Sequence, residues 1–148
     1  MTEKYWHYTN GRRIDQIIES GHIKLATAYI EKNERPAAWL STNPLFENTA
    51  TRLTKEGEDI PFNDSRLPAI RIEVRPSDKY VTWARFKHTG KISPRMAMHV
   101  EKVGRESGAN PAQWYASFRP ILMKDWLSIE IWDNSTRKWI KYIKNQQS

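Results

Sequence analysis

Hydrophobic and polar positions alternate cleanly in one stretch, Ala69-Ile-Arg-Ile-Glu-Val74. Ile70, Ile72 and Val74 fall on one face, and Arg71, Glu73 and Arg75 on the other. This period of two predicts a strand with one face in the core. The segment Lys4–Thr9 (KYWHYT) is rich in aromatic residues and predicts a first strand. Asn10–Gly21 changes period. Ile14, Ile17 and Ile18 make one helical stripe, Thr9 or Asn10 can cap its start, and Gly21 suits the position after its end. HIKLA (22–26) and AAWLST (37–42) read as strands, the second stopped by Asn43-Pro44.

Residues 44–56 (PLFENTATRLTKE) predict a helix with Pro44 at its first position, and residues 57–68 a loop. KYVTWARF (79–86) reads as a strand by composition. Residues 93–108 read as a helix capped by Ser93, with Met96, Val100 and Val103 in its core stripe. QWYASFRPI (113–121), WLSIEIW (126–132) and KWIKYI (138–143) read as strands, the last entered by a hairpin turn. About seven strands and three helices without βαβ alternation predict one α+β domain over residues 1–148. Its sheet is expected to be mixed or antiparallel rather than doubly wound.

Charge adds a partner to this picture. The net charge is +7, and residues 61–148 hold 16 Lys+Arg against 8 Asp+Glu, whereas residues 1–60 hold 8 against 9. A basic second part fits an anionic partner, either a nucleic acid or an acidic protein surface. No apolar run is long enough to span a bilayer, so no membrane role is expected. The first ten residues lack a basic region followed by an apolar stretch, and cysteine is absent. Both features fit a cytoplasmic location. Seven tryptophans are core material, and one or two of them can serve as stacking platforms for a base or a nicotinamide.

Much familiar chemistry is missing from the sequence. There is no glycine-rich phosphate loop, dinucleotide fingerprint or nucleophile elbow. His7, His22, His88 and His99 lack metal-ligand spacing, and the acids are dispersed, so no metal is expected.

The order of the opening segments is nonetheless recognisable: a strand with His7-Tyr8-Thr9, a helix with paired isoleucines, a glycine, a short strand, then WLSTNP. It resembles the ADP-ribosyltransferase-like superfamily, in particular small prokaryotic branches such as toxins that modify DNA bases. The resemblance spans residues 5–45 and 110–132. It implies NAD as cofactor, with His7 at the ribose and Thr9 beside the nicotinamide. Trp39 and Ser41 match the second motif. The third motif places a glutamate at the start of a late strand, where this chain has Gln113. An amide cannot act as a base or set negative charge against an oxocarbenium-like transition state, but it can hydrogen-bond a ribose hydroxyl.

The expectation is an NAD-dependent ADP-ribosyltransferase-like protein acting on a nucleic acid or protein acceptor. His7 and Gln113 would stand at the reaction, and His7, Thr9, Trp39 and Ser41 at the cofactor. Arg12 and Arg13 lie in the first helical turn, where positive charge opposes the dipole, which hints at an anion contact. The alternative is an inactive binding module of the same fold that docks nucleic acid or a partner protein, as an accessory or inhibitory protein of a mobile element. Glu73 and Glu130 could replace the missing acid, but each also reads as a solvated strand residue or half of a cross-strand ion pair.

Overall fold

A computed structural model describes residues 3–28, 30–51 and 68–143. In chain order these form β1 (Tyr5–Asn10), α1 (Gly11–Ser20), β2 (His22–Ile23), β3 (Ala38–Ser41) and α2 (Asn48–Thr51). There follow β4 (Ala69–Val74), β5 (Val81–Thr82), α3 (Trp83–Thr89), α4 (Pro94–Glu106), β6 (Trp114–Ser117), β7 (Ile121–Leu122), β8 (Trp126–Asp133) and β9 (Lys138–Lys141). Seven strands make one sheet in the order β5-β6-β3-β1-β4-β8-β9, and β2 pairs with β7 in a second, two-stranded sheet. Every pairing is antiparallel, which resolves the mixed-or-antiparallel expectation within an α+β fold.

Helices cover both faces of the large sheet. The isoleucine stripe of α1 packs with Leu40, Ile70, Ile72 and Val74 on one face. Asn10 starts that helix by accepting the Arg12 backbone N–H at 3.0 Å, and Gly21, at φ 76°, closes it in the left-handed region. On the other face, Trp83 and Phe86 of α3, Ala97 of α4, and Trp114 and Ala116 of β6 form a second core. A third cluster, Phe46, Ala69 and Trp132 with Trp139 against them, covers the far end of this face.

Several expectations fail, each for a local reason. Residues 79–86 are not one strand: only Val81–Thr82 is extended, and a helix begins at Trp83. The Thr82 hydroxyl caps it by accepting the Arg85 N–H at 3.2 Å, and Trp83 and Phe86 bury together at helical spacing, so period outweighs β-forming composition. The run 113–121 is also divided. Gln113 ends a 3-10 turn, Ser117 bonds the backbone of Arg119, and Ile121 opens β7 in the other sheet.

Pro44 does not start a helix. Asn43 Oδ1 accepts the Leu45 N–H at 2.9 Å, an Asx turn, and helix begins only at Asn48. The rest of that expected helix (52–56) and the loop 57–67 lie outside the described residues. HIKLA shrinks to His22–Ile23 plus one isolated bridge between Ala26 and Ala37. In α4 the fully buried positions are Ala97 and Gly104; Met96 and Val100 pack against that core as expected and also line a cavity, and only Val103, at the same cavity, stays 49% exposed.

Candidate functional site

Strands β1 and β3 share a single registered pair, Trp6 with Ser41. Beyond it the ladder is interrupted, and the His7 ring reaches across the opening to the Trp39 carbonyl at 2.9 Å. A cavity of about 650 Å³ opens at this fork. That volume is within the range of small-molecule sites, roughly 300–1,000 Å³. Its walls come from β1 and β3, from Trp83 and Trp114, from the Met96, Val100 and Val103 side of α4, and from Glu47.

The wall helices are tied together. Trp83 Nε1 donates to Glu101 at 2.6 Å and Lys87 donates to the same oxygen at 2.9 Å, so α3 and α4 hold one geometry. Those contacts, the Lys87 bond foremost, hold the Glu101 carboxyl below its usual range. Gly104 is required where α4 crosses Trp114, because a Cβ there would lie 2.6 Å from the indole.

A carbonyl only accepts hydrogen bonds, so His7 Nδ1 carries the proton, and Nε2 of the neutral ring is an acceptor. Burial pushes the His7 pKa below its ordinary 6.5; the Trp39 carbonyl works against this shift, and the nearby Arg13 charge adds to it. The ring is therefore neutral at physiological pH and suited to receive a hydroxyl. The same shift has a consequence for stability. Below about pH 6.5 the unfolded chain protonates its histidine while the native ring does not. His7's contribution is full above that pH, and native stability falls as pH drops below it, by at most about 1.4 kcal/mol per pH unit until the native pKa is reached. Urea unfolding at graded pH should show this slope in the wild type and less of it in His7→Gln; equal slopes would remove His7 as its source.

Of the sequence candidates, His7, Trp39, Ser41 and Arg13 line the cavity. Thr9 is buried on β1 but is not among the lining residues, and neither is Arg12. Gln113 lies just outside, where its Oε1 accepts from Asn43 Nδ2 at 3.2 Å and its backbone carbonyl from Thr42 N at 3.0 Å. Trp114, the next residue, enters the cavity in its place. Glu130 is half of a cross-strand ion pair with Arg71, Nε to Oε1 at 2.7 Å, and Glu73 sits on the neighbouring face position of β4.

Two features escaped the sequence. Trp6 Nε1 is a buried donor without a hydrogen-bond partner among the described residues, and Trp6 lines the cavity. Such a group is destabilising by about 1–3 kcal/mol until an acceptor arrives. The other is Glu47, only 6% exposed, whose Oε2 accepts from Trp114 Nε1 at 3.1 Å and Thr49 Oγ1 at 2.7 Å. Neither had a pattern to betray it, since both burials depend on partners distant in the chain.

Among the described residues no cluster of His, Asp and Glu could hold a metal ion, and no helix is long and apolar enough to cross a membrane. Comparison with protein-family models, with curated proteins and with solved structures found no match to this chain.

Proposed function

We propose that the cavity at the β1–β3 fork binds NAD and that the chain is an ADP-ribosyltransferase-like protein. The observation that carries this reading is the convergence of His7, Trp39 and Ser41 on one cavity, with His7 locked by the Trp39 carbonyl. These residues belong to motifs more than thirty positions apart in the chain. The neutral ring offers Nε2 to a ribose hydroxyl. The indoles of Trp39, Trp83 and Trp114 offer flat apolar surface to a nicotinamide or an adenine.

Cleaving the nicotinamide–ribose bond needs the ring held and the sugar oriented, so that positive charge can develop at the anomeric carbon. The fork supplies the holding. The acceptor fits an anionic polymer. A second cleft of about 460 Å³, between the β4–β5 and β6–β7 connections, is lined by Arg75, Lys79 and Arg119 with one acid, Asp125. Arg75 is paired with Asp125 at 3.8 Å, and the remaining cations suit an anionic acceptor, a nucleic acid or an acidic protein surface.

The test is thermal unfolding with NAD, in the wild type and His7→Ala. At NAD one hundred times its Kd the stabilisation is about 2.7 kcal/mol, which raises Tm by roughly 5–10 °C. The rise should vanish in the variant. No rise in the wild type overturns the NAD reading and leaves the basic cleft. The protein is then a nucleic-acid-binding module, retained on single-stranded oligonucleotides at low salt and released as salt increases.

A further inference from the structure

We propose that Glu47 supplies the carboxylate of this site, in place of the late-strand glutamate that Gln113 has displaced. The proposal rests on the NAD reading and deepens it. Glu47 is the only carboxylate among the described residues lining the cavity. A buried carboxylate must be compensated by its hydrogen-bond partners. Here its Oε2 is fixed by Trp114 Nε1 and Thr49 Oγ1, a geometry suited to pointing the group rather than merely tolerating it.

The late strand takes part through Trp114. This residue follows Gln113, lines the cavity and donates its indole N–H to Glu47. The strand that would carry the acid therefore positions it instead. The segment bearing Glu47 is held from several sides. Ser41 Oγ accepts the Asn43 N–H at 3.1 Å, Arg71 Nη1 donates to the Pro44 carbonyl at 2.6 Å, and the Tyr8 hydroxyl donates to the Asn43 carbonyl.

In the reaction, the bond between the nicotinamide nitrogen and the ribose anomeric carbon breaks. Its electron pair goes to the pyridinium ring, which leaves as neutral nicotinamide. The sugar becomes an oxocarbenium-like cation, and the Glu47 carboxylate, in a low-dielectric site, stabilises that charge. The nucleophile, water or a group on the acceptor, then bonds to the anomeric carbon from the opposite face. Its proton goes to solvent. With water the balance is NAD plus water to ADP-ribose, nicotinamide and a proton.

The test measures NAD binding and nicotinamide release together, with DNA, RNA or lysate protein as acceptor. Glu47→Gln keeps an oxygen for Trp114 and Thr49 but removes the charge. Its NAD affinity should stay within about threefold and its nicotinamide release fall about 10²-fold. Should Glu47→Gln not fold, Thr49→Val carries the test, because it leaves the carboxylate and removes one bond to Oε2. Its kcat should fall about fivefold with KM unchanged. Glu47→Gln, or in its absence Thr49→Val, turning over at the wild-type rate overturns the proposal, as does a wild type that binds NAD and releases no nicotinamide. A wild type that binds no NAD is a distinct result, which removes the reading beneath.

Discussion

Phe86→Ala is expected to destabilise the protein by about 3–5 kcal/mol and to lower Tm by roughly 10 °C. Phe86 is 0% exposed and lies at the centre of the core beneath α3. Its ring meets Trp39 edge-on at 4.7 Å and stacks on Trp83 at 5.9 Å and Phe118 at 5.7 Å. Gly90 presses from below, where a Cβ would stand 2.5 Å from the ring, so the backbone has closed on the phenyl as far as it can. Ring stacks of this kind add to the loss beyond area alone. Because backbone and large rings surround the site, it cannot collapse to fill the space, and the upper half of the range is expected.

The damage should reach the cavity, since Trp39 and Trp83 both form its wall and both lean on Phe86. Urea unfolding followed by far-ultraviolet circular dichroism gives the stability, and the NAD-dependent shift measured in parallel should shrink. A loss below about 1 kcal/mol would mean that α3 does not dock as described.

Parts of this architecture were readable without coordinates because their signals are local. Ile14, Ile17 and Ile18 announce α1 by spacing, Ser93-Pro94 announces the start of α4, and the alternation in residues 69–74 announces β4. His7, Trp39 and Ser41 were legible as a motif in order. That two adjacent strands would carry them was not, since sheet order depends on contacts dozens of residues apart.

What failed was decided at longer range. Val81-Thr82-Trp83 has strand composition, yet the hydroxyl cap at Thr82 and the burial of Trp83 with Phe86 convert its second half to helix. Alternation placed Arg71 on a solvent face, but that face is roofed by aromatic residues, and Arg71 is 8% exposed. Glu47 was invisible for the same reason. A lone acid between Phe46 and Asn48 has no period, and its burial is fixed by Trp114, 67 residues later.

Arg71→Ala should destabilise by about 3 kcal/mol, since it empties a buried site and removes charge-assisted hydrogen bonds to three acceptors. The guanidinium lies between the rings of Trp6 and Trp139, 4.5 Å from each centroid. Its Nε meets Glu130 at 2.7 Å, and its Nη1 meets the Pro44 carbonyl at 2.6 Å and the Tyr8 hydroxyl at 3.3 Å. Removing it opens a gap between two indoles and leaves Glu130, whose side chain is 27% exposed, without its ion-pair partner. Arg71→Lys should rescue little, because a single ammonium cannot stack between two rings and reach three acceptors in different directions. Arg71→Leu with Glu130→Leu should recover much of the loss, because the stranded charge is gone. A double-mutant cycle over Arg71→Leu, Glu130→Leu and the double variant isolates the Arg71–Glu130 coupling; a coupling near zero would mean that the ion pair itself adds nothing to stability.

The same substitution should impair NAD binding, although Arg71 does not line the cavity. Arg71 holds the Pro44 carbonyl, and Pro44 lies between Asn43, which steadies Gln113, and Glu47, which enters the cavity. In the double-leucine variant, stability should return while the NAD-dependent shift stays reduced, because Arg71 no longer holds the Pro44 carbonyl. Recovery of both together would mean that the fork keeps its shape without that anchor. Recovery of stability alone would separate what Arg71 does for the fold from what it does for the site.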